Sequence, residues 1–451
     1  MNNEPAVASL PLDDIPLSES LPRVRKGAFR ALSHRNYRLF FFGQMISVVG
    51  TWMQTTALQL LVVRLYRDDP VQAAFWLSAV GFVPLIPLLP FALIGGSIVD
   101  RFPRRTIVVV TQATMMIMAF ILFALTSANV VTIGHVLGLL VISGIASAID
   151  VPARQTLVIE MVDSDKDDLA GAIALNSSIF NLGRAIGPAL AGVIVAAVGE
   201  ADAFLLNGLS FIAVLIGLLL MRLPPGPIEK TRSKLGKHLQ DGFRYMLGEK
   251  TLRVLLSMIA ATAFLAMPFT QWLPLFAQYT LADSAAPLTG FVCSRIQCLT
   301  PEALTLGLLN ACFGFGALIG ALLVASRSAG QGRGRMLAIG NIGFPLLLLI
   351  FAVSQSLLWS LLLLFLVGIA WVMQTSLTNT LLQLNTPDDL RGRVMSMYSM
   401  LFQGMWRVGI VGQGLIAAAI SAPFAIGLGA VLALGYGIFA AVRWPRVRKL
   451  A

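Results

Sequence analysis

Apolar residues run through this chain in twelve windows, at about 37–63, 74–98, 106–127, 131–157, 170–198, 201–222, 251–279, 304–326, 336–354, 357–384, 393–420 and 423–443. Crossing a bilayer as an α-helix takes roughly 20 mostly apolar residues. Each window therefore reads as one span, and the chain as an all-α membrane protein with twelve transmembrane helices. The polar stretches between spans set the boundaries: a tail over 1–35, six spans over 36–222, a linker over 223–250, six more over 251–443, and a basic tail over 444–451.

The first tail is acidic at Asp13, Asp14 and Glu19, then basic at Arg23, Arg25, Lys26 and Arg30. No apolar core follows a basic start closely, so it reads as a largely disordered tail rather than a cleavable signal. In the linker, Leu235, Leu239, Phe243 and Leu247 recur at four-residue spacing after Pro224, Pro225 and Pro227. That spacing predicts an amphipathic helix lying on the membrane face. The halves it joins resemble each other: Ser177, Phe180, Gly187, Gly192 and Ile194 stand 222 positions before Ser399, Phe402, Gly409, Gly414 and Ile416. Either the chain is an internal duplication, or two apolar helices rich in glycine and serine merely look alike.

Composition agrees with the span pattern, since 57% of residues are hydrophobic and only 12% charged, well outside the soluble norm. The net charge of +11 would suit a nucleic-acid binder if the cations shared one folded face. Here 28 of the 33 Lys and Arg fall in the segments on the side of the N-terminus, leaving Arg64, Arg67 and Arg295 outside and Arg184 and Arg407 within spans. By the positive-inside rule both termini are cytoplasmic, and no nucleic-acid partner is implied. Three His and three Cys make no metal cluster, and no cofactor is expected. Cys293 and Cys298 share an outer loop expected from Ala282 to about Pro301, where an oxidising compartment would let them form a disulfide.

The connection between the second and third windows, Gly96-Ser97-Ile98-Val99-Asp100-Arg101-Phe102-Pro103-Arg104-Arg105, concentrates charge at the membrane surface. Its pattern G-x-x-x-D-R-x-x-R-R resembles the loop between helices 2 and 3 of the major facilitator superfamily of secondary transporters. On the fifth window, Gly183-Arg184-Ala185-Ile186-Gly187-Pro188-Ala189-Leu190-Ala191-Gly192 is similar to the G-x-x-x-G-P-x-x-G-G motif of superfamily antiporters, with Ala191 in place of one glycine. It is either that motif or a small-residue packing face without bearing on direction. The motifs Asn36-Tyr37-Arg38-Leu39-Phe40, Gly50-Thr51-Trp52-Met53-Gln54 and Asp150-Val151-Pro152-Ala153-Arg154-Gln155 resemble the transmembrane secretion effector group, which includes enterobactin exporters and macrolide-efflux-type proteins. The resemblance covers about 36–443 and implies two pseudo-symmetric six-helix halves in the major facilitator fold.

That fold implies roles for particular residues. Gly96, Asp100, Arg101, Arg104, Arg105, Asp150, Arg154, Gly187 and Pro188 become gating or coupling candidates. Ser143, Ser147, Asp150 and Arg154 are spaced by four, three and four residues, which puts them on one helix face. Asp150 would pair with Arg154 at i,i+4 or reach Arg101 to latch the inner side, unless Pro152 ends the helix and leaves the pair among headgroups. Helices 1, 4, 7 and 10 line the cavity in this superfamily, making Gln44, Thr51, Trp52, Thr55, Ser147, Gln271, Gln374 and Thr375 substrate-contact candidates. Interhelical hydrogen bonding is the competing role for each. Arg184 and Arg407 would bind an acidic or catecholate-like group, or snorkel to the inner surface. Leu140 stands where superfamily antiporters often carry an arginine, a departure from the usual coupling arrangement.

The expectation is a monomeric exporter in a bacterial inner membrane, exchanging a small amphipathic molecule, a siderophore or drug-like compound, for protons by alternating access. A non-transporting sensor on the same fold and an importer are the competing classes. No nucleophile elbow, zinc-protease motif or catalytic carboxylate pair suggests an enzyme.

Overall fold

The structure, a computed structural model, describes residues 28–99, 101–162, 166–222, 248–326 and 332–445. Asp100, the predicted linker helix and most of both predicted tails lie outside the described residues.

Among the described residues every regular element is helical, and fifteen are α-helices. The first half comprises α1 (Arg35–Leu65), α2 (Pro70–Phe82), α3 (Leu85–Val99), α4 (Arg104–Ser127), α5 (Ile133–Met161), α6 (Lys166–Val198) and α7 (Glu200–Leu220). The second half comprises α8 (Lys250–Leu265), α9 (Phe269–Leu275), α10 (Ala282–Ile296), α11 (Pro301–Ala325), α12 (Arg333–Ala352), α13 (Leu357–Leu384), α14 (Asp388–Ala419) and α15 (Ala422–Arg443). Eleven helical stretches are long and apolar enough to cross a membrane. At 32 residues α14 has the length of a twelfth, but Gln403, Arg407 and Gln413 make it less apolar than the others.

Three predicted boundaries shift for local reasons. The second span is two helices, because Pro84 has no N–H to carry the ladder across the junction between Phe82 and Leu85. The seventh is interrupted at Ala266–Pro268 and continues through α9 into a π-helical turn, Phe276–Thr280. The expected outer loop from Ala282 is largely helix α10, which ends with Gln297 in the left-handed region at φ 52°. The predicted first tail also has an ordered end, since Ala28–Ser33 forms a 3-10 turn packed against α6.

Within the first half, α1 packs on α6 and α7, and α4 on α5 and α7; in the second, α13 packs on α11 and α12, and α14 on α8. The halves meet most extensively through two helix pairs, α6 with α11 and α2 with α14, and α9 also touches α1 and α2. Small residues set both contacts. A Cβ on Gly192 would fall 2.7 Å from the Gly307 Cα, and one on Gly314 2.6 Å from the Ala185 Cα. Across the other pair, a Cβ on Gly81 would lie 3.0 Å from Ile410, and Gly414 faces Ser78 with no room for any side chain.

The 222-residue repeat is therefore structural. Gly192 and its counterpart Gly414 each face the opposite half, whereas Gly187 and its counterpart Gly409 each face a helix of their own half, α1 and α8. Equivalent glycines at equivalent interfaces are what pseudo-symmetric halves require.

Candidate functional site

Several polar contacts between the halves sit at the end of the bundle that holds α10. Gln59 donates to Gln271 at 3.1 Å, Gln271 to the Leu77 carbonyl at 2.7 Å, and Tyr279 to the Arg67 carbonyl at 2.7 Å. Thr300 donates to the Val195 carbonyl at 2.9 Å, and Leu299 N–H to the Ala196 carbonyl at 2.7 Å. At the other end, the one carrying Arg35 and Arg104, the pairs Arg30–Asp168, His34–Asp168 and Arg104–Glu160 lie within the first half. Toward that end Ser177 and Asn181 on α6, and Ser399 and Gln403 on α14, are exposed. Polar side chains exposed within a span favour water over hydrocarbon, so these positions of α6 and α14 are the water-seeking part of the two halves toward the Arg35 end.

One helical turn beyond Asn181 on α6 sits Arg184. Its guanidinium lies 5.2 Å from the Trp52 ring centre and 4.9 Å from that of Trp371. Trp52 belongs to α1 and Trp371 to α13, so one cation touches both halves. Gly183 and Gly187 create the seat: a Cβ on Gly187 would fall 2.5 Å from the Trp52 Cβ, and one on Gly183 3.0 Å from its Cδ1. The antiporter-like stretch thus has two faces, Gly183 and Gly187 against α1 and Ala185 and Gly192 against α11. Pro188 lies inside α6 with its carbonyl near Gly307. Among the described residues no carboxylate pairs with Arg184, and the buried indole N–H of Trp371 has no partner. Cation, aromatic faces and an unused donor converge where an acidic aromatic group would fit.

The second intramembrane cation is committed. Arg407 donates to the Gly81 carbonyl at 2.8 Å, crossing from α14 to α2. Gln271 is spent on Leu77 and Gln59, and Gln374 donates to Thr262 at 2.6 Å and Asn341 at 2.7 Å. These two candidates join helices. Thr51, Thr55 and Thr375 donate to carbonyls of their own helices, and of them Thr51 and Thr55 are exposed. Ser147 contacts the Met115 sulfur at 3.6 Å, and Gln44 is buried with its Oε1 unpartnered.

Helix α5 continues through Pro152 to Met161, so Asp150 is not among headgroups beyond a helix end. Its carboxylate is fully buried. Oδ2 lies 2.6 Å from Arg154 Nη2, while Thr111 and Gln112 of α4 donate to Oδ1 at 2.8 and 3.0 Å. Arg154 also faces the Phe180 ring at 5.8 Å. Arg101 is exposed, and Asp150 takes Arg154 as its cation. In the charged connection, Arg104 pairs with Glu160 of α5, and Arg105 donates to the Leu219 carbonyl at 2.7 Å. Gly96 lies in α3, and Asp100 is outside the described residues.

Three contacts have no motif in the sequence: Glu160 with Arg104, Trp371 as the second face of Arg184, and Asp168, which binds Arg30 at 3.0 Å and His34 at 2.8 Å. Charge complementarity offered a faint signal for the first. The other two join segments more than a hundred residues apart.

The sequence profile of the transmembrane secretion effectors matches residues 26–450. The staphyloferrin A transporter of Staphylococcus aureus is 29% identical over 230 residues, covering 50% of this chain and 56% of that protein. The multidrug efflux pump Tap of Mycolicibacterium fortuitum is 25% identical over 91% of this chain and 96% of its own length. The enterobactin exporter EntS of Shigella flexneri is 25% identical over 89% and 86%. In fold, a bacterial homologue of the human lysosomal transporter Spinster, solved inward-facing and unoccupied, has a TM-score of 0.63 at 13% identity, covering 92% of this chain and 97% of its own. The D-xylose-proton symporter has a TM-score of 0.62 at 13% identity, covering 91% and 96%.

Proposed function

The chain belongs to the transmembrane secretion effector family, and on that premise we propose that it is a secondary active exporter of a small amphipathic molecule bearing an acidic or catecholate-like group. It works as a monomer in a bacterial inner membrane with both termini cytoplasmic, so the Arg35 end faces the cytoplasm. Substrate enters between the halves from that end, its acidic group displaces one indole from Arg184, and the two halves rock to open the opposite end. Proton exchange drives the cycle, with Asp150 the carboxylate placed to carry the proton.

The observation that carries this reading is the position of Arg184, a cation with no carboxylate partner among the described residues, held between aromatic faces of the two halves. A buried guanidinium without a carboxylate is costly, and a substrate anion would relieve that cost. The siderophore and drug relatives support a substrate of this size and amphipathic character. A screen of intracellular accumulation with and without the chain tests it, using catecholate siderophores and amphipathic drugs as probes. Lower accumulation of an acidic aromatic probe, lost in Arg184→Gln, is expected. Equal accumulation of every probe would overturn the proposal.

A further inference from the structure

Beside α1 and α7, on the outside of the bundle, lies an open groove of about 400 Å3 lined by Arg38, Phe42, Ile46, Ala213, Ile216 and Leu220. Close backbone approach makes its floor: a Cβ on Gly43 would fall 2.8 Å from the Ala213 carbonyl oxygen, and one on Gly217 2.8 Å from that of Leu39. Its walls are apolar. Phe42 and Ile46 are each 49% exposed, and Ile216 is 51%. From Arg38 to Ile46 the groove runs about 12 Å along the helix axis at 1.5 Å per residue, close to half of a ~30 Å hydrocarbon core.

One end of the groove is strongly basic. Arg38 lies in its rim, and Arg222 follows the end of α7 two residues beyond Leu220. Arg35 donates to the Leu220 carbonyl at 3.2 Å and Arg105 to that of Leu219 at 2.7 Å. Among the described residues none of these four arginines pairs with a carboxylate, whereas neighbouring Arg30 and Arg104 do. Arg38 thus lines the groove itself, and Arg35, Arg105 and Arg222 gather at the last residues of α7, so an apolar channel begins at a basic end. A hydrophobic molecule with one anionic end, delivered by the bilayer itself, matches both features.

We infer that this groove is a binding site for an anionic phospholipid, with one acyl chain lying between α1 and α7 and the headgroup phosphate held by Arg38 and Arg222. Arg35 and Arg105 cap the last carbonyls of α7 and add field at the phosphate. Arg105 also opens α4 directly behind the charged connection, so an occupied site would brace that connection against α7.

The test uses purified, delipidated full-length protein given equal amounts of dioleoylphosphatidylglycerol and dioleoylphosphatidylcholine, with bound lipid counted by native mass spectrometry. Each basic residue near an anionic headgroup is worth about fivefold in affinity. Wild type should retain phosphatidylglycerol over phosphatidylcholine by at least that factor. The double variant Arg38→Gln/Arg222→Gln should lose the preference, and Ala213→Phe, which fills the groove and keeps the charge, should lose phosphatidylglycerol itself. Should Ala213→Phe fail to fold, Ile46→Trp fills the same groove from a lipid-facing position. Equal retention of both lipids by wild type overturns the proposal. So does loss in only the charge variant or only the filling variant, because the site requires both its basic mouth and its apolar channel.

Discussion

Arg184 and Trp371 stand 4.9 Å apart, guanidinium to ring centre, across the boundary between the two halves. Trp52 of the first half flanks the same cation at 5.2 Å. A desolvated cation–π contact is worth up to about 2 kcal/mol, enough to bias a two-state equilibrium by roughly thirtyfold. Trp371→Leu keeps an apolar side chain but removes the aromatic face and with it that bias, so the halves should separate more readily. Cysteine crosslinking between α6 and α11 should fall. Unchanged crosslinking would mean that the contact does not hold the halves together.

Arg184→Gln should raise the KM for an acidic substrate about ten- to a hundredfold, the loss of one charge-assisted interaction of about 1.5–3 kcal/mol. Arg184→Lys keeps charge but loses the planar stack, and should fall between. A neutral substrate analogue transported equally well by all three proteins would confirm that the anion is what Arg184 reads. Equal KM values for the acidic substrate would remove Arg184 from the binding site.

Asp150 is buried against Arg154, Thr111 and Gln112. If it carries the proton, Asp150→Asn should abolish efflux driven by a pH gradient and leave downhill substrate exchange near wild-type rates in reconstituted vesicles. A purely structural role predicts that both modes fall together with stability, by about 3–5 kcal/mol for a broken buried pair. Full gradient-driven efflux by a stable Asp150→Asn protein would exclude the carrier role.

Cys293 and Cys298 are disulfide-bonded next to the end where the halves meet. On intact cells a membrane-impermeant maleimide should label them only after reduction, with Cys312 the one thiol left in Cys293→Ser/Cys298→Ser. Labelling without reductant, or labelling confined to inside-out vesicles, would contradict the bond or the proposed orientation.

Much of this arrangement was written in local spacing. The i,i+4 separation of Asp150 and Arg154 made their ion pair one of three arrangements open to Asp150, and helix geometry through Pro152 selects it. The glycines of the antiporter-like stretch announced close packing, and the 222-residue repeat announced two similar halves. Spacing said nothing of which neighbour each glycine would meet, so Gly187 proved to face α1 and Gly192 α11. Nor could it separate polar residues that join helices from those left for substrate: Gln271 and Gln374 look like Thr51 in sequence, but their amides bridge helices. The tether from Arg30 and His34 to Asp168 is a tertiary contact with no local signature. Helix α10 leaves no span-like mark in the hydropathy pattern because it is only 15 residues long, with Pro287 inside it.

Everted membrane vesicles carrying the chain give the most direct test of proton-driven export. Acidified inside, they should accumulate the acidic aromatic probe found in the accumulation screen, lose it when the gradient is collapsed, and fail to accumulate it with Arg184→Gln. Accumulation by right-side-out vesicles under the inward proton gradient of a living cell, with none in everted vesicles, would make the chain an importer and contradict the account.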